Sequence, residues 1–251
     1  MIAAFESDRG KVRAHNEDAG GVFFNTAAGT CLALVADGMG GHQAGDVASS
    51  MAVKQLVQEW EKIEEFPGVA EAEEWLKTAI EDVNTSLFQY SQAHDECKGM
   101  GTTIVSALCC GEFAVVAHIG DSRCYIKNNN GFSQVTSDHS LVNELVRSGQ
   151  ISQEDAEHHP RKNVLMRALG TEAHVKVDSK TVTWEEGDYL LLCSDGLTNK
   201  VSDEEIADVL SADLSIEEQA AQLTNKANDG GGEDNITVAV VQHLRREQGS
   251  E

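Results

Sequence analysis

Basic residues are scarce in this chain. Its 251 residues include 19 lysines and arginines against 42 aspartates and glutamates, and the formal net charge is −23. So acidic a chain repels nucleic acids and anionic membrane surfaces, and no nucleic-acid partner is expected. Such a charge suits a protein that collects divalent cations, although an acidic surface is common among cytoplasmic proteins. We expect this protein to be cytoplasmic.

Long apolar segments and paired cysteine motifs are also absent. No apolar run approaches the roughly 18 residues of a membrane span, so no membrane segment is expected. The first eight residues have no basic start followed by an apolar stretch, and we expect no secretion signal. The six cysteines form no CxxC pair and show no zinc-ligand spacing. Most lie in apolar segments, which predicts reduced thiols in the protein core.

Short apolar segments separated by polar turns are the main pattern along the chain. They predict about ten strands, interrupted by two pairs of amphipathic helices. Strands joined mostly by short turns favour antiparallel sheets with helices packed outside, rather than regular βαβ units. The expected strands lie at 2–6, 22–24, 30–36, 102–109, 113–119, 124–127, 132–135, 176–182, 189–194 and 236–244, and the expected helices near 45–60, 76–87, 203–210 and 216–228.

The chain contains a glycine-rich segment after one of the most apolar strands. Residues 31–36 predict a buried strand, which we expect to end on Asp37, and three glycines follow within four residues. Backbone without side chains lets another group approach closely. The Asp37 carboxylate and the Gly38 carbonyl are hard oxygen donors, which Mg²⁺ and Mn²⁺ prefer. An ordinary Asp-Gly turn is the alternative for this segment taken alone.

Aspartates recur where strands end or begin. Five aspartates share this placement, and most of the five adjoin glycine or turn residues. Three of them, Asp37, Asp121 and Asp195, are each expected at the end of an apolar strand. Clustered carboxylates repel one another unless a cation neutralises them, and oxygen-only ligands favour Mg²⁺ or Mn²⁺ over zinc. Two such ions can share a water and make it a nucleophile, as in two-metal hydrolysis. The complete set is Asp18, Asp37, Asp121, Asp195 and Asp234.

The order of these motifs resembles a known family. Each motif alone is weak, but six in order at family spacing are specific, and the match covers almost the whole chain. It resembles the metal-dependent serine/threonine protein phosphatases of type 2C, in the compact bacterial form that opposes a membrane-anchored kinase. The motifs are Arg13 with Asn16-Glu17-Asp18, Asp37-Gly38-Met39-Gly40-Gly41-His42, Gly101-Thr102-Thr103, Gly120-Asp121-Ser122-Arg123, Ser194-Asp195-Gly196 and Glu233-Asp234-Asn235-Ile236-Thr237.

The resemblance implies an α+β fold and a reaction. The fold would be a central β-sandwich of two antiparallel sheets flanked by pairs of α-helices, with a flap at about residues 145–170 beside the active cleft. Residues 1–245 would form a single phosphatase domain, followed by a polar tail at 246–251. Water activated at a binuclear Mn²⁺ or Mg²⁺ centre would attack phosphoserine and phosphothreonine monoesters directly. Phosphorylated proteins, including a cognate kinase, would be the partners of a monomeric enzyme.

The resemblance also implies roles for individual residues. Asp37 would bridge the two tightly bound ions, with Gly38 giving a carbonyl. Asp18 would ligate one ion, and Asp195 and Asp234 the other. Asp121, sharing Asp195, would hold a third, weaker ion. The remaining roles are phosphate binding for Arg13, contact with metal-bound water for Glu17, general acid catalysis for His42, and substrate contact in the flap for His158 and His159.

Three alternatives compete with this interpretation. A cysteine phosphatase needs an arginine six positions after its thiolate, and none of the six cysteines has one; Cys193 reaches Asn199. A metal-dependent nuclease is disfavoured by the acidic charge. A regulatory pseudophosphatase that binds metal without catalysis should have lost ligands, whereas every aspartate is present.

The role of His42 also has an alternative. Animal members of the family lack Met39-Gly40-Gly41 before the histidine, so a position of His42 behind the metal ligands or in solvent stays open.

Overall fold

Two antiparallel β-sheets stacked face to face form the centre of the molecule in the computed structural model, which describes residues 1–41, 44–66 and 68–244. Eleven strands lie in this described part. They are β1 (Ile2–Asp8), β2 (Asp18–Asn25), β3 (Thr30–Met39), β4 (Gly101–Thr102), β5 (Ile104–Cys110), β6 (Phe113–Ile119), β7 (Arg123–Asn128), β8 (Gly131–Gln134), β9 (Asp178–Thr183), β10 (Tyr189–Cys193) and β11 (Ile236–Gln242).

The strand order separates the two sheets. The first sheet has the order β1-β11-β10-β7-β8, and the second has the order β2-β3-β5-β6-β9, with β4 paired to β3. The β7–β8 hairpin turns at the Asn-rich segment, as predicted, where Asn128 pairs with Gly131. Gly131 has a φ of 118°, which a side chain would disfavour.

Helices cover the outer face of each sheet. Those of the described residues are α1 (Ala44–Trp60), α2 (Val69–Ala93), α3 (Leu141–Arg147), α4 (Gln153–Glu157), α5 (Asp195–Thr198), α6 (Asp203–Val209) and α7 (Ile216–Asp229). The serines before α6 and α7, Ser202 and Ser215, each form a capping box with the glutamate three residues later. These caps satisfy backbone N–H groups that a helix start otherwise leaves unpaired.

Three apolar layers hold the structure together. Leu34 packs with Leu56 and Leu76 between the second sheet and the helices α1 and α2. Leu191 and Leu223 pack in the corresponding layer between the first sheet and α5, α6 and α7. A third layer fills the space between the sheets. The fold is therefore the predicted α+β sandwich, with α1 and α2 on one outer face and α5, α6 and α7 on the other.

The structure corrects several predicted boundaries. β3 does not end on Asp37 but continues to Met39, because Gly38 and Met39 pair with Thr102 and Gly101 of β4. Asp195 does not end a strand either; it opens the short helix α5 after Ser194. The polar segment after β8 contains the short helices α3 and α4, which lie outside the expected helices.

Two further predictions, on the cysteines and on membrane spans, can be compared with the structure. All six cysteines are buried and free of disulfides, in agreement with the prediction of core thiols. In the ranges that the structure describes, no helix is long and apolar enough to cross a bilayer. The predicted tail at 246–251 lies outside the described residues.

Candidate metal centre

Two aspartates face each other across the β2–β3 pair. Asp18, the first residue of β2, is the direct cross-strand partner of Asp37. Like charges placed opposite each other on neighbouring strands are destabilising. The register of this pair therefore concentrates negative charge at one end of the second sheet.

Gly38 lets the start of α1 approach this end of β3. A Cβ at Gly38 would collide with the carbonyl oxygens of Gly45 and Glu17. The Gly38 N–H donates to the Glu17 carbonyl at 3.1 Å, and the Ser49 hydroxyl donates to the same carbonyl at 2.6 Å. Only glycine fits here, because backbone atoms of two other segments occupy the space of a side chain.

The threonines of the Gly101-Thr102-Thr103 motif hold the Asp37 backbone. The Asp37 N–H donates to Thr103 Oγ1 at 2.9 Å, and the Asp37 carbonyl accepts from Thr102 Oγ1 and from the Thr103 N–H, both at 2.9 Å. Thr103 Oγ1 also lies 2.7 Å from Ser122 Oγ, beside Asp121. The motif thus connects the backbone of Asp37 to the turn that carries Asp121.

Asp195 and Asp234 come from the first sheet and lie on backbone segments that touch. A Cβ at Gly196 would collide with the Asn235 carbonyl oxygen. The Ser194 hydroxyl donates to Asp18 Oδ2 at 2.8 Å and accepts from the Thr237 N–H at 3.0 Å. Ser194 therefore joins the ends of the two sheets.

Asn235 fastens the loop before Asp18. Its Nδ2 donates to the carbonyls of Arg9 and His15 at 2.9 and 3.0 Å, and its Oδ1 accepts from the Glu17 N–H at 2.8 Å. One side chain thus positions the segment that carries Arg13, Glu17 and Asp18.

The aspartates shift one another's protonation. Burial, followed by the charges of Asp18, Asp195, Asp121 and Asp234, raises the pKa of Asp37 well above its ordinary value. Burial and the neighbouring Asp195 and Asp234 raise the pKa of Asp18 to about 7, against the hydrogen bond from Ser194. Burial and Asp195 likewise raise the pKa of Asp121 to about 7. Burial and Asp234 raise the pKa of Asp195.

Two carboxylate oxygens of this cluster have no hydrogen-bond partner. Asp18 Oδ1 and Asp195 Oδ1 are both buried and unpaired. A buried unpaired oxygen is costly, and a cation would satisfy both. The donors are carboxylates and a backbone carbonyl, so the residues fit Mn²⁺ or Mg²⁺.

In the structure, protein donors bind the carboxylates, and the carboxylates do not converge on one point. Among the described residues, no three His, Cys, Asp or Glu side chains are grouped at metal-ligand spacing. Arg13 Nη2 donates to Asp234 Oδ2 at 2.8 Å, and Asn199 Nδ2 donates to Asp195 Oδ2 at 3.0 Å. An ion that binds Asp234 would therefore compete with Arg13 for this carboxylate, whereas Asp195 keeps its unpaired Oδ1 available beside the Asn199 hydrogen bond.

Arg13 lies at the cluster, as the sequence predicted for a phosphate-binding residue, but it pairs with Asp234. This hydrogen bond is the main cause that raises the pKa of Arg13. The Arg13 side chain is 51% exposed and that of Asp234 is 34% exposed. Since an exposed ion pair contributes little to stability, exchanging Asp234 for a phosphate costs Arg13 little.

A groove of about 760 Å³ runs from the aspartates to the flap, residues 145–170. Asp121 and Asp195 line one part of it, and His158 and Lys162 of the flap line another. His159 does not line the groove; its Nδ1 accepts from the Arg161 N–H at 3.1 Å. The structure thus separates the two flap histidines that the sequence treated alike.

His42, a predicted site residue, falls outside the described ranges. Other residues of the site were recognised only in the structure. Thr103, Ser194 and Asn235 stand inside the recognised motifs, but the sequence assigned them no role. Asn199 falls in no motif and had no sequence signal.

Comparison with known proteins places the chain among phosphatases. The family model for protein phosphatase 2C matches residues 9–230. A serine/threonine phosphatase, stp, from Listeria welshimeri is 49% identical over 249 residues, which cover 99% of this chain and 98% of the relative. The structure of the serine/threonine phosphatase Stp1 from Staphylococcus aureus superposes with a TM-score of 0.91 at 42% identity, covering 97% of this chain and 95% of that one.

A third relative was solved with metal. The catalytic domain of the serine/threonine protein phosphatase PstP, in complex with two manganese ions, matches with a TM-score of 0.84 at 35% identity, covering 97% of this chain and 98% of that one. The family model and the coverage of whole relatives agree with the motifs and with the sandwich described above. The chain belongs to the protein phosphatase 2C family.

Proposed function

We propose that this protein hydrolyses phosphoserine and phosphothreonine monoesters in phosphorylated proteins, with a binuclear Mn²⁺ or Mg²⁺ centre. The observation that carries this proposal is the cluster of five aspartates, in which two buried oxygens lack partners and four carboxyls have a raised pKa. The names of the relatives and the manganese ions of the PstP structure support it.

The ligands of this centre would come from both sheets. Asp18, Asp37 and the Gly38 carbonyl would bind from the second sheet, and Asp195 and Asp234 from the first. Asp37 would be shared by the two ions, and Asp121 with Asp195 would hold a third, weaker ion. When bound, these ions activate a water for attack and neutralise charge on the phosphoryl group.

The chain's own side chains would bind and orient the substrate. Arg13 would leave Asp234 once an ion takes that carboxylate, and would donate to the phosphate oxygens, a geometry that a guanidinium forms well. The groove beside Asp121 and Asp195 would receive the polypeptide around the phosphorylated residue. Protonation of the leaving alkoxide by His42 remains part of the proposal.

Two further parts concern the setting of the enzyme. Six free, buried thiols support a reducing, cytoplasmic location, and a cognate kinase would be among the substrates of a monomeric enzyme. Nothing at the site favours the pseudophosphatase alternative, since all the candidate ligands are present.

The first prediction is the direct test of the metal centre. Asp37→Asn removes the charge that both ions share, so hydrolysis of p-nitrophenyl phosphate in Mn²⁺ should be lost while circular dichroism stays native. Chelator should abolish wild-type activity, and Mn²⁺ should restore it. The control is Asp229→Asn, at an exposed ion pair with Lys11, which should keep full activity. Wild-type turnover in excess chelator would refute the binuclear centre.

The second prediction concerns pH and stability. In the folded chain, the carboxyls of Asp18 and Asp121 each have a pKa of about 7, against an ordinary aspartate value of 3.8. Protonation therefore stabilises the folded chain fully below about pH 4, and this stabilisation is lost as the pH rises through about 7. In chelator, the thermal midpoint should fall between about pH 4 and 7 and level off above that range; in Mn²⁺ it should rise, because deprotonated carboxylates bind the ion.

The matched variant for this prediction is the double substitution Asp18→Asn with Asp121→Asn. It removes the two groups that titrate near neutrality, so the fall in chelator should become shallower. A double variant that declines as steeply as the wild type would assign the pH dependence to other groups.

The third prediction concerns Arg13. Arg13→Ala should raise KM for p-nitrophenyl phosphate about 10- to 100-fold with a smaller fall in kcat, because a charge-assisted hydrogen bond contributes about 1.5–3 kcal/mol to binding. Arg9→Ala is the control, since the Arg9 guanidinium donates to the Ala14 carbonyl in the same loop, while the backbone carbonyl that Asn235 binds is kept in the variant. An unchanged KM in Arg13→Ala would remove Arg13 from the phosphate site.

The fourth prediction separates the flap histidines. His158→Ala should change kcat/KM on a phosphoprotein far more than on p-nitrophenyl phosphate, because His158 lines the part of the groove formed by the flap and is not a candidate metal ligand. His159→Ala should have a smaller effect on the phosphoprotein. Equal effects of His158→Ala on both substrates would mean that this residue serves the chemistry or the fold.

A further inference from the structure

His139 lies directly behind the turn that carries Asp121. The residue is 8% exposed. Its ring Nδ1 accepts from the Gly120 N–H at 3.1 Å, and its own backbone N–H donates to the Gly120 carbonyl at 2.9 Å. His139 thus satisfies both polar backbone groups of the glycine that precedes Asp121.

The other side of the same turn rests on Thr103. Gly120 has a φ of 107°, and a Cβ there would stand 2.6 Å from the Thr103 side chain. Ser122 Oγ lies 2.7 Å from Thr103 Oγ1. Asp121 therefore lies between two residues whose positions are set by His139 and Thr103.

The hydrogen bonds of His139 define its tautomer. Since Nδ1 accepts from an N–H, the ring proton is on Nε2, which lies 3.2 Å from Asp178 Oδ2 and donates to it. Arg167 Nη1 lies 3.2 Å from the same Nε2, but a guanidinium cannot accept this proton, and it donates to Asp178 Oδ1 at 3.1 Å. Burial, with His118 and Arg167 nearby, lowers the pKa of His139 to about 4. The neutral ring keeps Nδ1 available as an acceptor.

His139 also contacts the C-terminal end of the flap. Its carbonyl accepts from the Met166 N–H at 2.7 Å, and Leu141, two residues later, donates its N–H to the Val164 carbonyl at 2.8 Å. The same residue therefore contacts the Asp121 turn through its ring and the end of the flap through its backbone.

We infer that His139 is a positioning residue for Asp121, because its Nδ1 fixes the Gly120 peptide and with it the carboxylate that would hold the weaker ion. This inference rests on the proposed function for its consequence in catalysis. The bonding that it describes belongs to the protein alone, and can be measured without turnover.

Two amide substitutions separate positioning from simple packing. In His139→Asn, Oδ1 can take the place of ring Nδ1 and accept from the Gly120 N–H, while the contact with Asp178 is lost. In His139→Gln, the longer amide reaches the place of Nε2 and Asp178, but leaves Gly120 without its acceptor. Glutamine fills more of the buried volume, so a packing role predicts that Gln is tolerated better than Asn.

The first readout is hydrogen exchange of the Gly120 amide in the full-length chain, with and without Mn²⁺. We expect protection in the wild type and in His139→Asn, and loss of protection in His139→Gln. Asn84→Ala is the control, because it removes a similarly buried acceptor from another glycine, Gly170, and should leave Gly120 protected. Protection of Gly120 in His139→Gln would overturn the inference.

The second readout is metal dependence. A group that orients a metal ligand is typically worth about 10- to 100-fold in affinity or activity. His139→Gln should weaken the low-affinity phase of Mn²⁺ binding in calorimetry by that factor and raise the Mn²⁺ needed for half-maximal activity, while the tight phase and KM stay unchanged. His139→Asn should stay close to the wild type.

A second variant keeps the core histidine in case His139→Gln does not fold. Asp178→Ala, on the edge strand β9, removes the acceptor of the Nε2 proton, so the ring no longer favours the tautomer in which Nδ1 accepts, and the low-affinity phase should weaken to a lesser degree than in His139→Gln. His139→Asn does not depend on Asp178 in this way, because an amide oxygen always accepts. Equal binding in Asp178→Ala and the wild type, or better binding in His139→Gln than in His139→Asn, would overturn the inference. A wild-type chain that hydrolyses no phosphomonoester would instead refute the proposed function, while Gly120 exchange would still test the role of His139.

Discussion

Repulsion among buried carboxylates is the constraint on which this end of the molecule depends. Asp18 and Asp37 face each other by strand register, and Asp195 and Asp234 meet them from the other sheet. The protein offsets this charge only in part, with Ser194 on Asp18, Asn199 on Asp195 and Arg13 on Asp234. These partners leave two buried oxygens unpaired, so protonation or a bound divalent cation would have to neutralise the rest of the cluster.

Polar side chains of the recognised motifs hold the aspartates of other segments in position. Thr103 accepts from the Asp37 N–H, Asn235 fastens the loop before Asp18, and Ser194 joins the two sheets. Each has a small polar side chain directed at backbone or at a neighbouring hydroxyl. This explains why the recognised motifs extend beyond the acidic residues: a carboxylate cluster that repels itself needs backbone held by many hydrogen bonds.

Local patterns predicted most of the strands and helices. Short apolar segments and helices with period 3.6 indicated antiparallel strands with helices packed outside, whereas the stacking of two sheets into a sandwich was implied by the family resemblance. Central strands such as β5 are buried on both faces, which is why their sequence is apolar almost throughout. The extension of β3 beyond Asp37 was not predictable, because it depends on pairing with β4, more than 60 residues away. The role of His139 was missed for the same reason, because Gly120 and Asp178 become its neighbours only after the sheets assemble. Asn199 lies only four residues after its partner Asp195, but the helix α5 that brings the two side chains together was not predicted.

The C-terminal end of the flap is held by backbone that positions the aspartates. Leu169 exchanges two hydrogen bonds with Thr102 at 2.8 and 3.1 Å, and Thr102 Oγ1 donates to the Asp37 carbonyl. The Met166 N–H donates to the carbonyl of His139, whose ring accepts from the Gly120 N–H. Because Thr102 and His139 each hold backbone at or next to a candidate ligand, this end of the flap cannot shift without straining the candidate metal centre. The portion of the flap before Met166, including α4 and His158, makes no backbone hydrogen bond to Thr102 or His139 among the described residues. Variation in substrate selectivity is therefore expected in that earlier portion, where the sequence can change without moving the aspartates.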